Sequence, residues 1–181
     1  MFENKKKATT SIINPKKRAK KEIKEKIKEI KIRGVDGNFI IRHLNSVFDF
    51  VGVFAQNKLH TLRYIKIPFV IIVNLDYNDE PGSHWLAIRV DRETIEVFDS
   101  LGFETKYFAH YPKLLINFLA RFSFNKRVIC SPVLQPPTSK LCGLYCIYYV
   151  LNRQTKTFVE CLSLFSSNLL RNDLELIKFF K

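Results

Sequence analysis

Between residues 68 and 75 the chain reads Pro-Phe-Val-Ile-Ile-Val-Asn-Leu, rich in β-branched residues and apolar from Phe69 onward except at Asn74. A run with no polar face predicts a strand buried on both sides. Residues 84–90 and 94–98 follow as two further strands, joined by Asp91-Arg92-Glu93, a connection tight enough for a hairpin. The period then changes. Leu114, Leu115, Phe118, Leu119 and Phe122 recur at helical spacing within 111–124, and a strand is predicted over 127–134, ending in Pro-rich turn chemistry. Residues 142–151 are apolar on every face, as a buried central helix must be. Ser166-Ser167-Asn168 can cap a last helix through about Phe180, with Leu169, Leu170, Leu174, Ile177 and Phe180 on one side. Upstream, residues 39–44 and 48–54 read as packed helix or strand pieces. Ile23, Ile27 and Ile30, set among Lys and Glu, predict a weakly amphipathic helix, and Gly34 and Gly37 mark where that lead-in gives way to the core.

Composition fits a packed globule and excludes wholesale disorder: 46% of residues are hydrophobic and 16 of the 181 are Phe. Charge divides the chain in two. Residues 1–33 hold 13 Lys or Arg against 4 Glu, which accounts for most of the net charge of +13. The expectation is a basic Lys-rich tail over 1–33, flexible or partly helical, and one domain over 34–181. Lys16, Lys17, Arg18, Lys20 and Lys21 would attract a polyanion by counterion release, so nucleic acid is the first partner to consider and an acidic membrane surface the second. A solvated solubility tail is the bland alternative. The stretch Pro15-Lys16-Lys17-Arg18-Ala19-Lys20 fits a nuclear-import signal as well as it fits a plain electrostatic tail.

Four cysteines, Cys130, Cys142, Cys146 and Cys161, form no CxxC pairs, so neither a zinc knuckle nor a disulfide scaffold fits, and no metal is expected. The start Met1-Phe2-Glu3-Asn4-Lys5 carries no apolar signal region, and no run approaches the about 18 apolar residues that span a bilayer. A reducing intracellular setting, without membrane insertion, is the expectation.

Cys142 opens the buried helix directly after the loop 135–141, which would place its sulfur at the positive end of the helix dipole, where thiol pKa falls. Gly143 beside it permits close approach of backbone or substrate. His84 begins a strand after a Gly-Ser turn that would expose its ring at a sheet edge, and Asp99 ends the next strand. A hairpin would bring imidazole and carboxylate within hydrogen-bond reach. Gln135 could offer its side-chain amide to an oxyanion, with the backbone N–H of Cys142 as second donor. Trp85 would shield the imidazole from water or simply fill the core. Any one of these residues alone is commonplace: a cysteine in an apolar helix is usually a small core residue.

Taken together, Gly82-Ser83-His84-Trp85, Phe98-Asp99-Ser100-Leu101-Gly102-Phe103 and Gln135 followed by Cys142-Gly143-Leu144-Tyr145 resemble the adenain family, the endoproteases of adenoviruses, and more broadly the clan that includes the SUMO-specific proteases. The resemblance spans roughly residues 38–181, and short relatives with basic extensions look like those of Polinton or Maverick transposons. It implies an α+β fold with an antiparallel or mixed sheet packed on the helix that begins at the catalytic cysteine. It further implies a cysteine endopeptidase with His84, Asp99 and Cys142 as catalytic residues and Gln135 in the oxyanion hole. Capsid and core precursor proteins are the implied substrates, in the host nucleus or the virion. DNA and a viral peptide disulfide-bonded through Cys130 are the implied activators, although the distance from Cys130 to Gln135 departs from the family's. A monomer is expected. Two rivals remain open at this stage: a protease that deconjugates ubiquitin or SUMO, and a DNA-binding virion protein that keeps the fold without turnover.

Overall fold

The computed structural model describes residues 34–103 and 111–181, together with Lys21, Glu25 and Lys28. Helix α1 (Gly37–Leu44) is capped by Asp36, whose carboxylate accepts the Phe39 N–H at 2.7 Å. Strand β1 (Phe50–Ala55) follows, then a 3₁₀ turn (Gln56–Thr61), β2 (Phe69–Asn74), β3 (Trp85–Val90), β4 (Thr94–Phe98), α2 (Lys113–Phe122), β5 (Arg127–Cys130), α3 (Cys142–Asn152), α4 (Phe158–Ser163) and α5 (Leu169–Phe179). The strands form one mixed sheet in the order β1-β2-β3-β4-β5. β1 runs parallel to β2 and β4 parallel to β5, while β2, β3 and β4 are antiparallel neighbours. The fold is therefore α+β, with the sheet packed against the buried helix that starts at Cys142.

Strand alternation splits the apolar residues between two cores. Val70, Ile72, Ala87 and Phe98 face α1, α3 and α5. Phe69, Ile71, Val73, Leu86, Ile88, Ile95 and Val97 face the 3₁₀ turn and α2. Every residue of β2 is buried, which is why its sequence shows no polar face. Each fully buried Ile or Leu contributes about 1.5–3 kcal/mol. α3 lies on the first core with Tyr145 and Tyr149 turned inward, and Phe98 stacks on Tyr149 with ring centroids 4.3 Å apart. At its far end Arg153 grips the buried Glu96 of β4 through two nitrogens at 2.8 and 2.9 Å, and the Tyr149 hydroxyl also donates to that carboxylate. The helix that begins at Cys142 is thus fastened to the sheet at the end opposite the cysteine.

The hairpin predicted for β3 and β4 is present, pairing Ala87 with Phe98 and Val90 with Ile95. In the piece left open between helix and strand at 48–54, residues 50–54 belong to β1 and 48–49 form a turn. The strand predicted over 127–134 stops at Cys130: the Ser131 N–H still donates to the Val97 carbonyl at 3.1 Å, but Pro132 has no N–H with which to continue the ladder. Helix α4 was missed in the sequence, although Thr157 and Glu160 form a capping box there. Of the basic tail, Lys21 is helical and lies 3.9 Å from Glu25. Lys16, Lys17, Arg18 and Lys20 lie outside the described residues.

Candidate active site

The antiparallel register of β3 and β4 sets His84 diagonally across from Asp99, on the same face of the sheet. His84 Nε2 and Asp99 Oδ1 are 2.7 Å apart. The ring is not at an exposed sheet edge as predicted. β3 is the central strand of five, and the His84 side chain is only 12% exposed. Asp99 is held at every polar atom. Its Oδ1 also accepts the Leu101 N–H at 2.9 Å, its Oδ2 accepts the Tyr111 hydroxyl at 3.0 Å, and its backbone is clamped by Ser131 Oγ at 2.7 Å on both N–H and carbonyl. A carboxylate so fixed can orient an imidazole without moving.

With Nε2 engaged by Asp99, Nδ1 is the ring nitrogen left for Cys142, which also hydrogen-bonds His84. Burial opposes charge on this ring. The hydrogen bonds to Asp99 and Cys142, and the negative charge on both, outweigh burial and raise the His84 pKa to about 10. Cys142 is the first residue of α3. The N–H groups of Leu144 and Tyr145 are both bonded to the Leu141 carbonyl, so those of Cys142 and Gly143 carry the exposed positive end of the helix.

Burial governs the other three thiols. Burial pushes Cys130 and Cys161 up to about 11 and Cys146 well above the ordinary thiol value. Cys130 sits in β5, half-buried against the second core, in an environment that suppresses the thiolate a disulfide exchange needs.

Gln135 is 1% exposed and lies next to the acid rather than open to solvent. Ser100 Oγ donates to its Oε1 at 2.6 Å, and its Nε2 donates to the Ser139 carbonyl at 2.9 Å, leaving one amide N–H uncommitted among the described residues. Trp85 does not simply cover the imidazole. Its Nε1 donates to the Val35 carbonyl at 3.0 Å, tying the segment 34–37 to the sheet as one wall of the site. Gly143 is needed for that wall. A Cβ there would run into Val35 Cγ2 and lie 3.2 Å from Trp85 Cδ1, so the close approach is made by the protein itself.

A cleft of about 920 Å³ opens beside these residues, lined by His84, Trp85 and Cys142, by the 34–37 segment, and by the loops at 77–83 and 137–140. Among the described residues no group of three or more His, Cys, Asp or Glu is placed to hold a metal ion. None of the helices among them is long and apolar enough to cross a membrane.

The chain is similar to an adenovirus protease. A protein named Protease from bovine adenovirus 7 is 25% identical over 166 residues, covering 78% of this chain and 82% of the relative. That likeness supports a protease function and agrees with the family to which the motifs point. No family model matches the sequence. Among solved structures, that of AvrA delL154 with IP6 and CoA is similar at 13% identity and a TM-score of 0.46, over 86% of this chain and 65% of that one.

Sequence reasoning singled out His84, Asp99, Cys142, Gln135, Trp85 and Gly143, and the fold gathers all six around or directly behind the cleft. It missed Tyr111 and Ser131, the two hydroxyls that hold Asp99. Tyr111 stands just before Pro112 and α2, and in the sequence it is simply the first residue of the helical segment 111–124.

Proposed function

We propose that this protein is a cysteine endopeptidase that cleaves viral precursor proteins. The observation that carries the reading is His84, a buried imidazole with a raised pKa between the Asp99 carboxylate and a cysteine at a helix N-terminus. In the resting site, imidazolium His84 faces a Cys142 thiolate. The thiolate attacks a peptide carbonyl, and the oxyanion is taken by the backbone N–H of Cys142 and the uncommitted N–H of Gln135. His84 Nδ1 gives its proton to the leaving amine as the C–N bond breaks, which leaves a thioester on Cys142. Neutral His84 then takes a proton from water. The hydroxide attacks the thioester, and the acid product leaves with the thiolate and imidazolium restored. Asp99 holds the ring and its positive charge throughout.

The basic tail supports binding to nucleic acid through Lys16, Lys17, Arg18, Lys20 and Lys21, by charge alone. On this reading DNA brings enzyme and precursor together, and removal of residues 1–33 weakens DNA binding while sparing cleavage of a short peptide.

The test of the thiol is alkylation by iodoacetamide at pH 6, with each cysteine read by mass spectrometry. Cys142 should be labelled at least about tenfold faster than Cys130, Cys146 or Cys161, whose thiols burial keeps protonated. Equal labelling of the four, or full proteolysis by the Cys142→Ala variant, overturns the reading. Turnover of ubiquitin-like conjugates in preference to precursor proteins would assign the same chemistry to deconjugation.

A further inference from the structure

Asn74 ends β2 as a polar residue on a strand that is otherwise wholly apolar, and it is only 6% exposed. Its Oδ1 accepts the Asp76 N–H at 2.9 Å, which fixes the orientation of the amide. Nδ2 therefore points the other way, toward Gly82, and meets no acceptor among the described residues. Gly82 is in the left-handed region at φ +86°, and a Cβ on it would come within 2.7 Å of Asn74 Nδ2. The missing side chain leaves that donor open toward the cleft, which Asn74 and Gly82 line together with Ser83, His84 and Cys142. Asn74 is also tied to the site by the sheet: it pairs with Trp85, and the Leu75 N–H donates to the His84 carbonyl at 3.0 Å.

We propose that Asn74 is a substrate-binding residue, whose Nδ2 donates to a main-chain carbonyl of an extended peptide lying across Gly82. Nδ2 opens onto the cleft, where a main-chain carbonyl of a bound peptide can accept from it in place of water. Gly82 admits it because no side chain stands between the cleft and the amide. The hydrogen bond fixes one residue of the substrate beside His84, so it acts on binding and alignment rather than on the thiol. This inference rests on the thiol-protease reading of the cleft.

The experiment compares two reagents on the full chain: iodoacetamide, too small to span the cleft, and an acetyl-Leu-Gly-Gly vinyl sulfone, which must lie along it. Asn74→Asp keeps the acceptor for the Asp76 N–H and loses the donor, and Asn74→Ala loses both. The proposal expects the ratio of vinyl sulfone to iodoacetamide labelling rates at Cys142 to fall about tenfold in both variants, the loss of one hydrogen bond. A fall in Asn74→Ala with no fall in Asn74→Asp would make Asn74 a loop-holding residue and overturn it. If Cys142 of the unaltered chain does not react selectively, the thiol reading is what fails. The same tripeptide as its unreactive amide, titrated by calorimetry, then reads Asn74 directly, with weaker binding in both variants supporting the proposal and unchanged binding overturning it.

Discussion

Tyr111 places its hydroxyl 3.0 Å from Asp99 Oδ2, on the carboxylate oxygen that His84 does not use. The same hydroxyl reaches the Gly102 carbonyl at 3.1 Å, and the ring packs on Phe103 with centroids 4.2 Å apart. Tyr111→Phe keeps the ring contact and removes the hydrogen bond. A hydrogen bond to a charged group contributes about 1.5–3 kcal/mol, so peptidase kcat/KM should fall about tenfold. Asp99→Asn should cost far more, because it also loses the group that holds the imidazole tautomer. Peptidase kinetics on the two variants check the order, and equal losses would refute a merely supporting role for Tyr111.

The raised pKa of His84 makes protonation part of the stability of the fold. The folded value is about 10 against an ordinary 6.5, so the native state binds this proton more tightly than the unfolded chain does. The resulting stabilisation is complete below about pH 6.5 and is lost as pH rises from there through 10. In His84→Gln that contribution is absent. Urea denaturation should therefore separate the two proteins most at pH 6 and least near pH 10. A gap that widens with pH would contradict an imidazolium held by Asp99 and Cys142.

Both chemical partners of the site were legible in the sequence because each stands at the end of a strongly patterned element. The all-apolar run 142–151 pointed to the helix that Cys142 opens, and two strand-like segments with a three-residue link pointed to the hairpin that joins His84 to Asp99. What escaped were contacts between elements distant along the chain. Ser131 reaches Asp99 across 32 residues, and Val35 meets the Trp85 indole across 50. No local period encodes such pairs. The parallel placement of β1 beside β2 and of β5 beside β4 was likewise invisible, since a strand's sequence does not name its neighbour. The Gly143 position was recognised but its reason was not: the crowding comes from the segment before α1.

That crowding gives a direct test. A methyl group at residue 143 would overlap Val35 Cγ2, with the Trp85 ring and Ile40 closing the remaining sides. Overpacking of this kind typically costs about 1–3 kcal/mol. Gly143→Ala should lower the unfolding free energy by that amount and reduce peptidase activity, because the wall at 34–37 must move. Adding Val35→Ala removes the obstructing methyls. The double variant should recover a good part of the stability lost by Gly143→Ala, a non-additivity that a double-mutant cycle in urea measures directly. Strict additivity would mean that the two residues do not meet.

At the other end of the same helix, Glu96 is 1% exposed and depends on Arg153 for most of its compensation. Arg89, its cross-strand neighbour on β3, is already engaged with Asp49 and has a buried Nε with no partner among the described residues. Arg153→Met would leave a buried carboxylate with only the Tyr149 hydroxyl, and a buried charge stripped of its partner costs about 3–5 kcal/mol. Replacing both, as Glu96→Gln with Arg153→Met, removes the charge along with its partner and should cost much less. The helix would then be loosened at its far end without touching Cys142. Iodoacetamide labelling of Cys142 at pH 6 should stay selective in the double variant, whereas thermal unfolding of the single variant should come well below both that of the double and that of the unaltered chain. If the single and double variants melted together, Glu96 would not be relying on Arg153 at all.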